Sequence, residues 1–189
     1  MTTITWPVFQ HLSINSKQQT KLMEKSPTSQ YKVRFNDCDL FGHLNNSRYL
    51  DYLINAREDH LAEYYDLDLS AHYKKGFGWV VGSHEISYVI PAVYNEMIKI
   101  QSALIHCAAD SLEVETVMFD GAATHLKAVM RTKLVHVNTQ TGRKEPHGDD
   151  FLVWAKTIEN NGIDRDIALP LRVKQLKDNL RQNSPTPLK

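Results

Sequence analysis

The fold is decided by residues 34–50, which read RFNDCDLFGHLNNSRYL. Up to the start of this stretch, apolar and polar residues alternate from Tyr31 to Phe35, which is the period of a half-buried strand. From Ser47 onward, apolar residues recur every three or four positions, which is the period of an amphipathic helix. The polar residues between the two patterns include Gly42, which permits a tight turn. The stretch therefore predicts a strand, a short polar loop and the beginning of a helix.

The predicted helix is long, because no proline or glycine occurs between Asn45 and Lys75. Asn45 or Asn46 is suited to cap its N-terminus, and Asp51 lies near the positive end of the helix dipole. A helix of about twenty residues is roughly 30 Å long. It is the only long helix predicted before the C-terminal region.

Four more strands follow the helix in the predicted order of elements. Alternating apolar residues mark them within residues 79–90, 98–104, 112–118 and 126–134, and short turns lie between them. Short connections between successive strands imply antiparallel pairing. The sequence therefore predicts an α+β fold in which a curved antiparallel sheet wraps around one long central helix.

Three regions are predicted along the chain. Residues 1–27 form an N-terminal arm, residues 28–147 form the main domain, and residues 148–189 form a helical extension and tail. Within the extension, the apolar residues that follow Pro170 are spaced as on an amphipathic helix. We expect the residues from Gln182 onward to fray.

The composition excludes several classes of protein. Hydrophobic residues make up 42% of the 189-residue chain, which is enough for a buried core and argues against a disordered chain. Lysine plus arginine and aspartate plus glutamate each number 22, so no bulk positive charge is available for binding nucleic acid. No apolar run approaches the ~20 residues that cross a bilayer. With no secretory signal and only Cys38 and Cys107, we expect a cytoplasmic protein that neither binds nucleic acid nor spans a membrane.

Residues 37–46 bring together two carboxylates, an imidazole and two amides just before the helix. A helix N-terminus offers free backbone N–H groups and a positive dipole end, so it stabilises a developing oxyanion. A carboxylate placed there is either a nucleophile or general base, or simply a cap, and the residue types leave both interpretations open. A calcium loop is excluded because Phe41 and Arg48 occupy its fifth and twelfth ligand positions. His43 and the cysteines lack the spacing of a zinc site, so we expect no metal.

Residues 34–50, followed by Arg57, resemble the first strand and central helix of the 4-hydroxybenzoyl-CoA thioesterase-like family. The family pattern is an aromatic residue, then Asp-x-Asp, then x-x-Gly-His-x-Asn-Asn-x-x-Tyr. The run from Tyr88 to Ala92 is similar to the Tyr-x-x-Pro-Ala ending of the family's second strand, and the resemblance covers about residues 31–142. It implies the hot-dog fold, assembly into a homodimer or homotetramer, and hydrolysis of acyl-CoA or acyl-carrier-protein thioesters without metal or cofactor.

The resemblance also implies roles for individual residues. Asp39 matches the catalytic carboxylate, acting as nucleophile or as general base on water, and Asn46 is expected to orient substrate or water. His43 is expected either to shape the turn or to take part in the chemistry. The backbone N–H groups of Leu44 and Asn45 are expected to polarise the thioester carbonyl.

Residues farther along the chain are candidates for binding the acyl group. Trp79, Val80 and Val81 are expected to line it, and a role in the buried core is an equally good interpretation. Glu58 is a second carboxylate on the central helix, at a place where some other hot-dog thioesterases carry one. Its charged neighbours favour a position facing solvent.

Two features depart from the family pattern. The turn between the third and fourth strands, residues 106–111, has no lysine or arginine to contact the nucleotide of CoA. Either the carrier is not CoA, or its phosphates are met by other basic residues, namely Lys74, Lys75, Arg131 or Lys133. Residues 148–166 are extra sequence, which covers the site, extends the dimer or has no catalytic role.

The sequence thus predicts a thioester hydrolase whose main alternative is a protein of the same shape without turnover. That alternative is a non-catalytic hot-dog protein that binds acyl thioesters or acts as an oligomeric scaffold. The intact Asp39 favours the enzyme, whereas the missing basic turn favours the alternative.

Overall fold

The computed structural model describes residues 24–183. The predicted N-terminal arm, residues 1–27, lies outside the described residues except for residues 24–27, and residues 184–189 of the predicted tail lie outside them too. The elements follow the predicted order of strand, long helix, four strands and C-terminal helices.

Among the described residues, five antiparallel strands form one sheet. They are β1 (Thr28–Lys32), β2 (Phe77–Tyr88), β3 (Met97–Cys107), β4 (Ser111–Asp120) and β5 (Leu126–Asn138). Their order across the sheet is β1-β3-β4-β5-β2, so β2 is an edge strand of twelve residues. The short connections that link β3, β4 and β5 allow only antiparallel neighbours. The predicted α+β class is therefore confirmed.

The first strand lies earlier in the chain than the alternation from Tyr31 to Phe35 predicts. β1 ends at Lys32, because its partner strand β3 begins at the paired residue Met97. Phe35 instead begins a 3-10 turn that ends at Asp37, and its side chain is 74% exposed. The alternation continued past the point where a partner strand was available.

The predicted long helix is confirmed, because α1 spans Asn46–Tyr65. It begins there because Oδ1 of Asn45 accepts a hydrogen bond from the N–H of Ser47 at 3.1 Å, which satisfies one of the unpaired donors of the first turn. Its apolar face, which includes Tyr49 and Leu53, is buried against one face of the sheet and forms the main core there.

Shorter helices lie on both faces of the sheet. They are α2 (Leu69–Lys74), which the sequence pattern did not predict, α3 (Asp149–Ile158) and α4 (Leu169–Asn183). α3 packs on the same face as α1, whereas α4 covers the opposite face, where Val117 and Val129 point away from α1. No helix within residues 24–183 is long and apolar enough to cross a membrane.

A buried ion pair fastens α4 to the sheet. Glu115 is only 1% exposed, and its carboxylate accepts hydrogen bonds from the guanidinium groups of Arg131 on β5 and Arg172 on α4 at 2.9–3.3 Å. Arg131 also donates to three backbone carbonyls between residues 164 and 167. The suggestion that Arg131 contacts CoA phosphates is therefore wrong, because its donors are already used in packing the C-terminal segment.

Candidate active site

The loop before α1 is organised around the carboxylate of Asp39. Its Oδ1 accepts hydrogen bonds from the N–H groups of Phe41 (2.8 Å) and His43 (3.0 Å), and Gly42 makes the turn in a left-handed conformation with φ of +74°. Oδ2 of Asp39 accepts no hydrogen bond from any described residue, and the side chain is exposed. One carboxylate oxygen thus holds the loop, and the other faces open space.

The neighbouring carboxylate of Asp37 has different surroundings. Its Oδ2 accepts a hydrogen bond from the phenol of Tyr52 at 2.8 Å, and its Oδ1 lies 3.6 Å from Nε of Arg48. Both partners lie on α1, so Asp37 ties the loop to the helix. Burial and, after it, the hydrogen bond to Asp37 raise the pKa of Tyr52.

The backbone donors at the start of α1 differ from those expected. The N–H of Leu44 donates to the carbonyl of Ala92 at 2.8 Å, and the N–H of Asn45 donates to the carbonyl of Asp37 at 2.9 Å. The expectation that these two groups polarise a thioester carbonyl is therefore wrong, because both already have acceptors. The N–H of Asn46, the first residue of α1, has no acceptor among the described residues, and it is the donor that remains for a ligand.

His43, Leu44 and Asn46 lie at the same corner as Asp39, but not all of them face outward. The ring of His43 lies beside that of Phe41, with ring centres 6.3 Å apart. The side chain of Asn46 is exposed, and the backbone carbonyl of Asn46 accepts a hydrogen bond from the phenol of Tyr88 at 3.1 Å. Leu44 is only 2% exposed and belongs to the core, so its side chain cannot bind substrate.

A cavity of about 250 Å³ lies between α1, the sheet, α2 and α3. Trp79 and Val81 line it, whereas Val80, which points to the other side of β2, does not. The first residue of α1 that lines the cavity is Leu53, seven positions after Asn46, or about 10 Å along the helix axis. The predicted site residues therefore fall into two groups, one at the helix start and one in the cavity.

Glu58 lines this cavity as well as being exposed to solvent, so both interpretations of this residue hold in part. His84 on β2 also lines it, and its Nδ1 lies 2.9 Å from Oγ1 of Thr132. His84 was not identified from the sequence, because a single histidine in an alternating strand carries no distinctive pattern.

One end of the cavity is held in place by an aromatic and histidine cluster. The indole N–H of Trp79 donates to Nε2 of His147 at 2.9 Å, and Nδ1 of His147 donates to the carbonyl of Ala108 at 3.1 Å. The ring of His72 stacks on Trp79 with ring centres 4.4 Å apart. Burial lowers the pKa of His72 to about 4, and burial also lowers the pKa of His147. Both rings are therefore neutral at physiological pH.

Arg57 is the functional candidate that sequence reasoning missed. It lines the cavity from α1, and burial lowers the pKa of its guanidinium. The signal was present in the sequence, because Arg57 lies four residues after Leu53 and four before Leu61, in the middle of the apolar face of the helix. Arg57 was missed because it begins a run of three charged residues, which is typical of a face exposed to solvent.

The remaining basic candidates lie outside the loop of Asp39. Lys74 ends α2, and Lys133 is exposed on β5. The turn between β3 and β4, which has no basic residue of its own, gains one in the folded chain, because Nζ of Lys144 lies 2.7 Å from the carboxylate of Asp110. Within residues 24–183, no three histidine, cysteine, aspartate or glutamate side chains are grouped to hold a metal ion.

Comparison with known proteins identifies the family. Residues 33–155 match the family model of the thioesterase-like superfamily. The chain belongs to that superfamily. The matched residues include the loop of Asp39, all of α1, strands β2 to β5 and most of α3. The family expected from the resemblance is confirmed.

Among curated proteins, the chain is similar to the long-chain acyl-CoA thioesterase FadM of Escherichia coli. The two are 36% identical over 77 residues, which cover 40% of this chain and 56% of FadM. The chain thus matches little more than half the length of this relative.

Solved structures of thioesterases share the architecture. The probable thioesterase YbaW of Escherichia coli is 25% identical, with a TM-score of 0.60 over 70% of this chain and 98% of that one. The DHNA-CoA thioesterase of Staphylococcus aureus is 15% identical, with a TM-score of 0.64 over 82% of this chain and 94% of that one. The hot-dog fold is therefore confirmed, with α4 as an additional C-terminal helix.

Proposed function

We propose that the protein hydrolyses acyl thioesters at the loop that precedes α1, with Asp39 as the reacting carboxylate. The observation that carries the proposal is that the two oxygens of this carboxylate differ. Oδ1 is fixed by two backbone N–H groups, whereas Oδ2 accepts no hydrogen bond from a described residue and lies near the start of a helix. A fixed and exposed carboxylate is pre-oriented for reaction, which is what a nucleophile or general base requires.

In the proposed reaction the thioester carbonyl oxygen accepts a hydrogen bond from the N–H of Asn46. The dipole of the twenty-residue helix adds positive potential at the same place, so the oxyanion of the tetrahedral intermediate is stabilised. As a general base, Asp39 takes a proton from water while the oxygen attacks the carbonyl carbon. As a nucleophile, Asp39 displaces the thiolate to give an anhydride, which water then hydrolyses. In both routes the carbon–sulfur bond breaks, and the thiolate leaves and takes up a proton.

CoA is the carrier that the comparisons support, since FadM is named an acyl-CoA thioesterase. A carrier protein would present the same phosphopantetheine thioester, and the two carriers differ at the nucleotide. Lys144 at the turn between β3 and β4, with Arg143 beside it, is the basic group we assign to the CoA phosphates.

The active unit we propose is a homodimer formed through β2. This strand is long, lies at the edge of the sheet and exposes about half of the Val80 and Val81 side chains. A long edge strand with exposed apolar side chains is a template for pairing with a strand of another chain. A two-fold axis makes such a pairing antiparallel, so that the beginning of the partner's β2 lies beside the end of this one.

This arrangement bears on the position of the carrier. Tyr88, the last residue of β2, bonds to Asn46 at the start of α1, whereas the turn between β3 and β4 lies at the other end of the sheet, where Ser111 pairs with Val135. Antiparallel pairing of two β2 strands therefore brings the basic turn of the partner toward Asp39. Each site would then combine the carboxylate of one subunit with the nucleotide contacts of the other.

Thiol release from a panel of acyl-CoAs tests the proposed activity directly. We expect turnover by the full chain and its loss in the Asp39→Asn variant. If the chain bound acyl-CoAs without releasing thiol, it would be a binding protein and the proposal would fail.

A further inference from the structure

Arg57 is a cation among the residues that line the apolar cavity. Nη1 of Arg57 donates to Oγ of Ser102 at 3.3 Å, and its Cζ lies 5.8 Å from the ring centre of Tyr65. Ser102 is fully buried and shares its hydroxyl with Nδ1 of His60 at 2.8 Å. Burial, and after it the charge of Arg57, lowers the pKa of His60 to about 4, so His60 is neutral and supplies no counter-charge.

No carboxylate of the described residues pairs with Arg57. The ion pairs found in residues 24–183 use other cations, and Glu58, the carboxylate that shares the cavity, makes none with its neighbour Arg57. A charge removed from water without a partner is costly, whereas a guanidinium bound to a carboxylate in two parallel hydrogen bonds is strongly stabilised. Within residues 24–183, Arg57 is therefore a cation without a counter-charge, and a ligand carboxylate would supply one.

The cavity has an exposed side and a closed side, and Arg57 belongs to the closed one. Val81 on β2, Ile54 on α1 and Tyr73 on α2 line it and are 42–49% exposed, which places its mouth at the β2 edge of the sheet. Arg57 bonds instead to Ser102 on β3, which is separated from β2 by β5 and β4. Three inter-strand spacings amount to about 14 Å. A chain that enters at the mouth therefore reaches Arg57 with its far end.

We propose that this cavity binds an aliphatic chain ending in a carboxylate, and that the carboxylate pairs with Arg57. The chain is either the acyl group of the thioester, carrying a second carboxylate at its far end, or a free fatty acid. The first source rests on the proposed thioesterase function; the second does not depend on it. The walls of the cavity are aliphatic and aromatic apart from a few polar side chains, which suits a methylene chain along most of its length.

The size of the cavity sets the length of the probe. An apolar cavity of about 150 Å³ holds benzene, so 250 Å³ at the same filling accommodates about ten non-hydrogen atoms. Ten-carbon ligands are therefore the appropriate test. The pairs to compare are decanoate with its methyl ester, and decanedioyl-CoA with decanoyl-CoA, because the members of each pair differ in the charge at one end.

The experiment measures binding of the first pair by calorimetry and kcat/KM for the second, with the full chain. For at least one pair we expect a preference of about 10- to 100-fold for the charged end, the range given by a hydrogen bond to a charged partner. Arg57→Gln should abolish this preference, and Arg57→Lys should keep part of it. Arg181→Gln, which removes an exposed cation from α4, should leave it unchanged.

The pattern of results identifies the source of the carboxylate. A preference for decanedioyl-CoA that depends on Arg57 assigns it to the substrate, and binding of decanoate that depends on Arg57 assigns it to a free acid. Equal behaviour of the charged and uncharged members in both pairs overturns the inference, whether or not Arg57→Gln folds, since the wild-type comparison stands alone. Absence of thiol release from both CoA esters, with binding of decanoate retained, would count against the proposed function and not against this cavity.

Discussion

The phenol of Tyr52 donates a hydrogen bond to Oδ2 of Asp37, and no described side chain does the same for Oδ2 of Asp39. Only one residue separates the two aspartates, and their carboxylates nevertheless have different roles. Asp37 connects the loop to α1 through Tyr52 and Arg48. Asp39 bonds only to backbone groups of its own loop, through Oδ1, and its Oδ2 is free to react.

We predict that Asp39→Asn lowers kcat by at least ~100-fold without unfolding the protein. An asparagine retains an oxygen that accepts the two backbone hydrogen bonds made by Oδ1, so the loop keeps its form. It lacks the negative charge that either proposed route requires. Thiol release gives kcat, and a thermal melt checks folding.

Asp37→Asn is the matched control for this variant. Its amide oxygen still accepts the hydrogen bond from Tyr52, so we expect a distinctly smaller effect on kcat. If Asp37→Asn were the more damaging change, the assignment of Asp39 as the reacting group would be wrong. If Asp39→Asn unfolded the chain, Asp39 would be a structural residue of the loop.

Much of the fold could be predicted because its patterns are local. Asparagine capping and the spacing of Tyr49 and Leu53 identified α1, and alternation identified four strands. The first strand was misplaced because its end depends on where β3 begins, at Met97, which the residues near Phe35 do not encode. The edge position of β2 likewise follows from the order of strands, which local patterns do not determine.

The site was only partly predictable for a related reason. The loop of Asp39 is contiguous in sequence, so its residue types could be recognised together. Whether the N–H of Leu44 is free depends on Ala92, which is distant in sequence and supplies the acceptor. The local sequence of α1 places Arg57 on the apolar face of the helix, but the cavity beside it is enclosed in part by α3, which is distant in sequence.

We predict that acid destabilises the protein through His60. Its ring is fully buried and both of its nitrogens lie within hydrogen-bond distance of serine hydroxyls, Ser102 at 2.8 Å and Ser29 at 2.9 Å. Its folded-state pKa of about 4 lies below the unfolded value of about 6.5, so the unfolded chain binds the extra proton. The stabilisation is complete above about pH 6.5 and is lost as the pH falls toward 4. The loss reaches about 2 kcal/mol at pH 5.

Urea unfolding at pH 7 and pH 5 measures this loss. His60→Gln offers an amide at the same place and does not titrate, so the difference in stability between the two pH values should shrink by about the amount assigned to His60. His72, whose pKa burial also lowers to about 4, contributes in the same direction and remains in both proteins. An unchanged difference in the variant would show that His60 is not responsible.

We predict that Glu115→Gln loosens α4 from the sheet. The carboxylate neutralises two buried guanidinium groups, those of Arg131 and Arg172, and its removal leaves both without a counter-charge. Breaking a buried pair in this way costs about 3–5 kcal/mol. Urea unfolding measures the cost. Glu113→Gln on the same strand, whose pair with Arg165 is more exposed, should cost about 1 kcal/mol or less.

We predict that the protein is a dimer of about twice its 21.7 kDa chain mass, and that Val80→Glu separates the subunits. Val80 is half exposed on the edge strand, so a charge there weakens the pairing of two β2 strands. Val80 does not line the cavity, so the change leaves the acyl site unaltered. Antiparallel pairing about a two-fold axis brings each new carboxylate toward the interface, where repulsion between like charges and the loss of apolar contact both weaken the dimer.

Light scattering should give the dimer mass for the wild type and the monomer mass for the variant. Turnover should fall as the dimer is lost, because each proposed site uses groups from both subunits. Val153→Glu, a similar change at an exposed position of α3, should alter neither mass nor activity. If the wild-type protein were monomeric at micromolar concentration and still released thiol, both the pairing and the shared site would be contradicted.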